Sequence, residues 1–577
     1  MKSSNVKGIS LIGKDLLITQ LADDTTLFLK DEHQISIAID SISIFSKASG
    51  LYLNIPKCEL MAIKDCSKTA LCNIPLKQEV RYLGVIITKN QESRITQNFY
   101  PILEKLKHRF NQWLLRDLSL KGRVLITKAE GISRLTYAAL ALHLDKKLIK
   151  EVDKLIFNFI WKNRTHYIKK TVLMNSYVNG GLNVLDFNTL NNTFKINWLK
   201  NLITNPTSIW NAIPVFMFSK LGGTEFFLTC NFDIDKIPLK ISAFHRQAFL
   251  AWTLIYKHNF SPHSYYIWNN KDVLFKRKSL FLDSWFRNDI VLVNQLFDSN
   301  GMLFSYEEFC LHFNLAINRH DYTKVFGSIP SGVCMLFKNQ PNITSFHRPL
   351  TSPIQTFVGK ICFSKQSKNN NKSIRALFQS TITTLPYVIF FWNRLSDGIM
   401  WNEVWKLPNQ FLITNKIKDI SYKLIHRIYP SKDYLQSKFK LDIDTSCSFC
   451  KTSKESTIHL FWFCNLVQDF WQSLCVFISE NIFKGFVLFW KYVLFGLHKN
   501  QKQFNFDNRY MINLLLLMAK FHIHKSKYLG RHPSFYVFSF ELVQYLNSIK
   551  NSTNPKAIKT IGVCEKIKIF QSLCSLA

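Results

Sequence analysis

Two groups of residues in this chain have the types and spacing to hold metal ions. The first is the adjacent pair Asp23 and Asp24, within Leu16-Leu-Ile-Thr-Gln-Leu-Ala-Asp-Asp-Thr-Thr-Leu-Phe-Leu-Lys30. Carboxylates held side by side repel each other unless a cation lies between them. Hard oxygen ligands of this kind suit Mg²⁺ (or Mn²⁺), and a two-metal phosphoryl-transfer centre needs such a pair. An acidic pair is also an ordinary turn, so taken alone it leaves both readings open. The second group is Cys447-x2-Cys450-x8-His459-x4-Cys464. Three thiolates and one imidazole at these separations can close a tetrahedral Zn²⁺ shell with no open position for catalysis. Buried, unligated cysteines are the alternative.

Periodicity predicts the elements that position these groups. The apolar runs on either side of Asp23 and Asp24 are rich in Leu, Ile, Thr and Phe and predict a β-hairpin with the pair at its tip. Gln34 to Ser49 has Ile35, Ile39, Ile42 and Phe45 near helical spacing and a stop at Gly50. Residues 91–175 read as helical throughout, with a stripe of Tyr100, Leu103, Leu106, Phe110 and Trp113 or Leu114. Val152, Leu155, Ile156, Phe159, Ile160 and Trp161 continue at core spacing, which makes Trp161 a packing residue. Gly180-Gly181-Leu182 marks a turn, and nothing chemical stands out between 176 and 370. The polar run Gln366 to Ser373 reads as an exposed linker and a domain boundary. From Lys416, the residues Ile417, Ile420, Leu424 and Ile428 share a face of an amphipathic helix closed by Pro430. The Cys-x2-Cys half is expected as a tight turn and the His-x4-Cys half on or beside a helix. Residues 480–577 are again helical; His522 and His524 are two apart and cannot share a helix face, so they are not ligands.

Several stretches resemble one family. Gln20 to Leu29 resembles the catalytic hairpin of reverse transcriptases, with Leu21 where an aromatic residue is usual. Phe45-Ser-Lys-Ala-Ser-Gly-Leu-Tyr-Leu-Asn-Ile-Pro-Lys-Cys-Glu59 is similar to the next palm motif of LINE-type (non-LTR) retrotransposons. Arg81-Tyr-Leu-Gly-Val-Ile-Ile87 resembles their primer grip, and Leu118 to Lys128 their thumb. Ser456 to Cys464, with Phe470-Trp471, looks like their C-terminal Cys/His segment. The resemblance implies the C-terminal part of a LINE-type reverse transcriptase polyprotein. The implied fold class is α+β: a partial palm of hairpin, helix and short strands, a helical thumb, and a mostly helical C-terminal region with a small zinc-binding segment. The implied domains are 1–90 (half palm), 91–175 (thumb), 176–370 (connector), 371–480 (Cys/His domain) and 481–577 (helical region). It also implies catalytic and Mg²⁺-binding roles for Asp23 and Asp24. Lys57 would stand near the incoming nucleotide and protonate the leaving pyrophosphate, unless it is a plain solvated loop lysine. Lys121, Arg123 and Lys128 would track a phosphate backbone, unless they form a solvated helix face. Only 22 residues precede Asp23, so the fingers and the first palm Asp are missing from this stretch, and the expectation is that it does not polymerise alone.

Charge agrees with that expectation. Seventy-four Lys and Arg against 39 Asp and Glu leave +35 over 577 residues, which points to a polyanionic partner. Template RNA and primer DNA are the expected partners, and no basic amphipathic segment favours a membrane. The 49 Phe, 20 Tyr and 13 Trp are too many to be mostly exposed, although some can stack on bases. Thirteen cysteines without a signal peptide suggest a reducing compartment, so an intracellular place in nucleus or cytoplasm is expected. The apolar runs Leu385 to Trp392 and Leu514 to Ala519 are too short to span a bilayer. Three functions remain open: a truncated polymerase, a zinc-clipped nucleic-acid-binding module without catalysis, or an interaction protein whose charge is merely solvated.

Overall fold

The hairpin around the acidic pair forms in the computed structural model, which describes residues 5–22, 24–257, 265–338 and 371–574. Ile18–Leu21 pairs antiparallel with Asp24–Leu27, Leu21 opposite Asp24. Ala22 opens the two-residue turn with φ +52°, the left-handed conformation that suits the strand twist of a tight hairpin. The helix His33–Ser49 follows. Gly50 ends it at φ +72°, its N–H donating to Ser46 O, where a side chain would be strained. Glu79–Tyr82 and Val85–Thr88 make another hairpin, and the Thr19 and Tyr82 hydroxyls, 3.2 Å apart, link the two hairpins. Among the described residues the strands form five separate two-stranded ribbons, and the rest of the regular structure is helical. No single described helix is long and apolar enough to cross a membrane.

The chain divides into two units, neither a single stretch of sequence. The first comprises Met1–Lys105, Arg134–Val152 and Phe187–Thr381. Many of its aromatic residues are core. Phe218, Phe227 and Phe249 pack together with Trp252, whose indole N–H donates to Leu228 O at 2.7 Å. Trp268, Trp285 and Phe309 centre a neighbouring cluster. The expected linker is corrected at its end: Asn371–Ile382 is a helix, because Ile374 and Phe378, one turn apart, are buried in the first of these cores. Residues 366–370 lie outside the described residues.

The second unit comprises Leu106–Ser133, Asp153–Asp186 and Ile382–Ala577. Phe110 and Phe159 stack 4.3 Å apart and 14° from parallel, from the helices Gln91–Leu114 and Lys146–Ile160. The expectation of helix throughout 91–175 holds only in pieces: the chain leaves helix at 115–119, at 142–145 and from Trp161, apart from the short helix Lys170–Leu173. Lys162 and Asn163 turn to φ +54° and +55°, and Asn163 N–H closes on Asn158 O at 2.7 Å. The amphipathic helix is also shorter than expected, Asn415–Ile425. Arg427 takes φ +56° and Ile428 N–H reaches back to Lys423 O at 2.9 Å, so a left-handed cap ends the helix before Pro430 can. Phe506–Tyr528 runs through the core and buries Leu514, Leu515, Leu516 and Leu517 on successive faces, together with Asn513 and Lys520, as a central helix does. On it His522 and His524 part company, to Glu541 Oε2 at 3.0 Å and the Tyr429 hydroxyl at 2.9 Å.

Candidate metal centre

The Cys447–Cys450 turn is built from short-range hydrogen bonds. Ser446 bridges antiparallel to Lys454, and Cys447 N–H donates to Ser453 O at 2.7 Å. Lys451 then turns back at φ +61°, donating to Cys447 O, while Phe449 N–H points at Cys447 Sγ, 3.4 Å away. Phe449 itself is buried and anchors the turn in the second unit's core. The other two ligands flank the π-helical segment His459–Phe463. Residues five apart on an α-helix lie about 140° apart around the axis, whereas an i→i+5 turn brings them to one side. Cys464 N–H makes that bond to His459 O at 2.8 Å. Leu460 and Phe461 are buried beneath it, and Trp471 Nε1 donates to Phe461 O.

The result is a closed shell. Cys447 Sγ and Cys464 Sγ are 3.9 Å apart, Cys450 Sγ and His459 Nε2 3.4 Å, and all four ligand atoms lie within 4.8 Å of one another. A tetrahedral Zn²⁺ with bonds of about 2.3 Å to sulfur and about 2.0 Å to nitrogen needs edges of roughly 3.8 and 3.5 Å. The residues present fit that ion. Among the described residues this is the one group of three or more His, Cys, Asp or Glu side chains placed to share an ion. Without a cation the thiols disagree: burial and the adjacent Cys447 push Cys464 up to about 12. Burial would raise Cys450 too, yet hydrogen bonds from Thr452, Ser453 and His459 bring it down to about 5. A divalent ion lets all three ionise together. With four protein ligands the centre holds structure and offers no place for substrate.

Glu455, which the sequence analysis did not single out, fastens this centre. It is fully buried. Its Oε1 accepts from Lys432 N–H at 3.0 Å and Lys527 Nζ at 2.7 Å. Its Oε2 accepts from Ser448 N–H at 2.9 Å and from the Ser448 hydroxyl. The carboxylate therefore joins the residue between the first two cysteines to the end of the central helix. Only Glu455's place between ligands hinted at this; within Lys451-Thr-Ser-Lys-Glu-Ser456 it reads as a solvated loop residue.

The other expected site residues are dispersed. Asp23 lies outside the described residues. Asp24 is the exposed first residue of its strand, and no described cluster of three or more ligand groups includes it. Lys57 is exposed at the end of the 3₁₀ turn Ile55–Lys57. Lys121 is half-buried and donates to Asn409 Oδ1 at 2.8 Å. Lys128 is half-buried in the π-helical segment Thr127–Ile132. Arg123 is buried, with Nε donating to Ile160 O and Nη1 to Leu118 O, each at 2.5 Å. The Ile160 carbonyl ends the helix Lys146–Ile160, where helix geometry leaves it unpaired.

Comparison with known proteins agrees with the centre. Residues 365–471 match the family described as zinc-binding in reverse transcriptase, which contains all four ligands. The chain is 23% identical over 203 residues to the uncharacterized 149 kDa protein of transposon TX1 from Xenopus laevis, covering 34% of this chain and 15% of that protein. It is 26% identical over 130 residues to an Arabidopsis thaliana protein named "Putative ribonuclease H protein", covering 21% of each. The chain thus spans about a fifth or less of these relatives. It is related to proteins associated with retrotransposon reverse transcriptases.

Proposed function

We propose that this chain is a nucleic-acid-holding part of a LINE-type retrotransposon reverse transcriptase, clipped by zinc and without polymerase activity of its own. The observation that carries this reading is the closed Cys447–Cys450–His459–Cys464 shell inside the region similar to reverse-transcriptase zinc-binding segments. The +35 charge supports RNA and DNA as its ligands. The family's nucleotidyl transfer, with Mg²⁺ on Asp23 and Asp24 and Lys57 beside the nucleotide, would require the rest of a two-metal site.

Elemental analysis of purified protein should give one zinc per chain, and Cys447→Ser/Cys464→Ser none. Anisotropy titrations with labelled RNA and DNA should show log affinity falling linearly with log salt, by roughly 0.7 to 0.9 per phosphate contact. Absent or salt-insensitive binding refutes the nucleic-acid reading. Primer extension on an RNA template with Mg²⁺ and dNTPs should give no incorporation. Incorporation abolished by Asp23→Ala/Asp24→Ala overturns the non-catalytic part.

A further inference from the structure

Two lysines from separate stretches of the second unit bond to one asparagine, and a third lines a cavity with it. Lys121 Nζ donates to Asn409 Oδ1 at 2.8 Å, and Lys556 Nζ donates to Asn409 O at 2.6 Å. Lys418 shares with Lys121 and Asn409 the lining of one cavity. None of the three has an ion-pair partner among the described residues. The contrast on the helix of Lys418 is direct: Lys416 is paired with Asp117 at 2.6 Å, and Lys423 with Asp419 at 2.8 Å. Asp419 also lines the cavity, but that bond to Lys423 already neutralises it. Lys418 and Lys556 stand in the first turns of Asn415–Ile425 and Pro555–Ile567, neither of which has an acidic residue there. The helix ends therefore add to the positive potential instead of offsetting it.

Ammonium groups brought together without ion-pair partners of their own are unfavourable in isolation. Burial, then Lys121 and Lys556, draw the Lys418 ammonium down to about 8, as expected where a counter-charge is lacking. We infer that Lys121, Lys418 and Lys556 form a contact for a phosphodiester group of a nucleic-acid backbone, seated beside Asn409. The inference rests on the nucleic-acid-binding reading above and names the chemistry of one of its contacts. Point charges on flexible stems suit such a contact, because they neutralise phosphate without reading sequence.

The test uses the full, zinc-loaded chain and a fluorescently labelled single-stranded RNA oligonucleotide over a salt series. The variants are Lys418→Gln/Lys556→Gln and a charge-matched control, Lys484→Gln/Lys499→Gln, at exposed positions of the same unit. Removing two of the three lysines that hold this one phosphate should make the slope of log affinity against log salt shallower by up to about 0.7, and the control should move it by less than half as much. Lys418→Gln alone should melt at or above the wild-type temperature, because it relieves repulsion in the ligand-free protein. Wild-type binding with equal slopes in variant and control overturns the inference and leaves the nucleic-acid reading intact. No wild-type binding overturns both. Saturable binding of inorganic phosphate that the variant loses, with the RNA slope unchanged, overturns the backbone assignment in favour of a free phosphate. A lowered melting temperature for Lys418→Gln overturns the argument from uncompensated charge.

Discussion

Replacing Glu455 by alanine should cost the second unit about 3–5 kcal/mol, the usual loss when one partner of a buried ion pair is removed. The size follows from what is left behind. Lys527 is 9% exposed as a side chain and Glu455 not at all, so the ammonium loses a counter-charge that water cannot fully replace. The Ser448 and Lys432 N–H groups lose their acceptor as well, each a donor costly to strand. Ser448 lies between Cys447 and Cys450, so zinc affinity should fall about 10- to 100-fold, as when other supports of metal ligands are removed. Urea unfolding gives the first quantity and competition with a chromophoric chelator the second. A loss below about 1 kcal/mol with unchanged zinc affinity would refute the assignment of Glu455 as the fastening. Acid provides an independent check. Burial acts to raise the Glu455 carboxyl, but hydrogen bonds from Lys527 and Ser448 hold it below the ordinary glutamate value. Its stabilisation is then present above the unfolded value near ~4.3 and lost as pH falls through the folded value. Glu455→Gln should flatten the stability profile in that acid range and leave it unchanged at neutral pH in slope.

Other perturbations test the packing of the second unit. Phe110→Ala removes one ring of the stack with Phe159 and should cost about 3–5 kcal/mol in chemical denaturation. Gly131→Ala would place a Cβ 2.9 Å from Phe110 Cζ and should cost about 1–3 kcal/mol from overpacking; a neutral result would show that the ring moves aside freely. Lys520 is 2% exposed, and burial draws its ammonium down to about 7. Between about pH 7 and ~10.4 the unfolded chain holds that proton and the folded chain does not, so stability should rise with pH across this window. Lys520→Met should abolish the rise, and equal slopes in both proteins would assign it to other groups.

Local patterns carried much of this architecture. The hairpin at residues 18–27 was legible because apolar runs flank a polar pair. The helix His33–Ser49 was legible because a glycine, Gly50, takes the left-handed conformation that stops it at no steric cost. Errors came where chain reversals depend on left-handed non-glycine residues. Lys162, Asn163 and Arg427 end helices with nothing in their side chains to announce it, whereas Pro430 advertised an end the helix never reaches. The connector escaped reading because its order comes from Phe and Trp packed between segments far apart in sequence, a pattern with no local period.

At the centre itself, spacing alone determined the four ligands, since a turn between Cys447 and Cys450 and a half-helical return from His459 to Cys464 are short-range matters. Only the tertiary structure decided what surrounds them. Glu455 and Arg123 are both charged residues in polar contexts, and sequence gives each the same expectation of solvent. Folding buries both, because Lys527 and two backbone donors come to the first, and the carbonyls of Ile160 and Leu118 to the second. Whether a charge faces water or a partner depends on groups as distant as Lys527, 72 residues from Glu455, and Ile160, 37 residues from Arg123. Lys121, Lys418 and Lys556 gather beside Asn409 on the same terms, through contacts that no window of sequence contains.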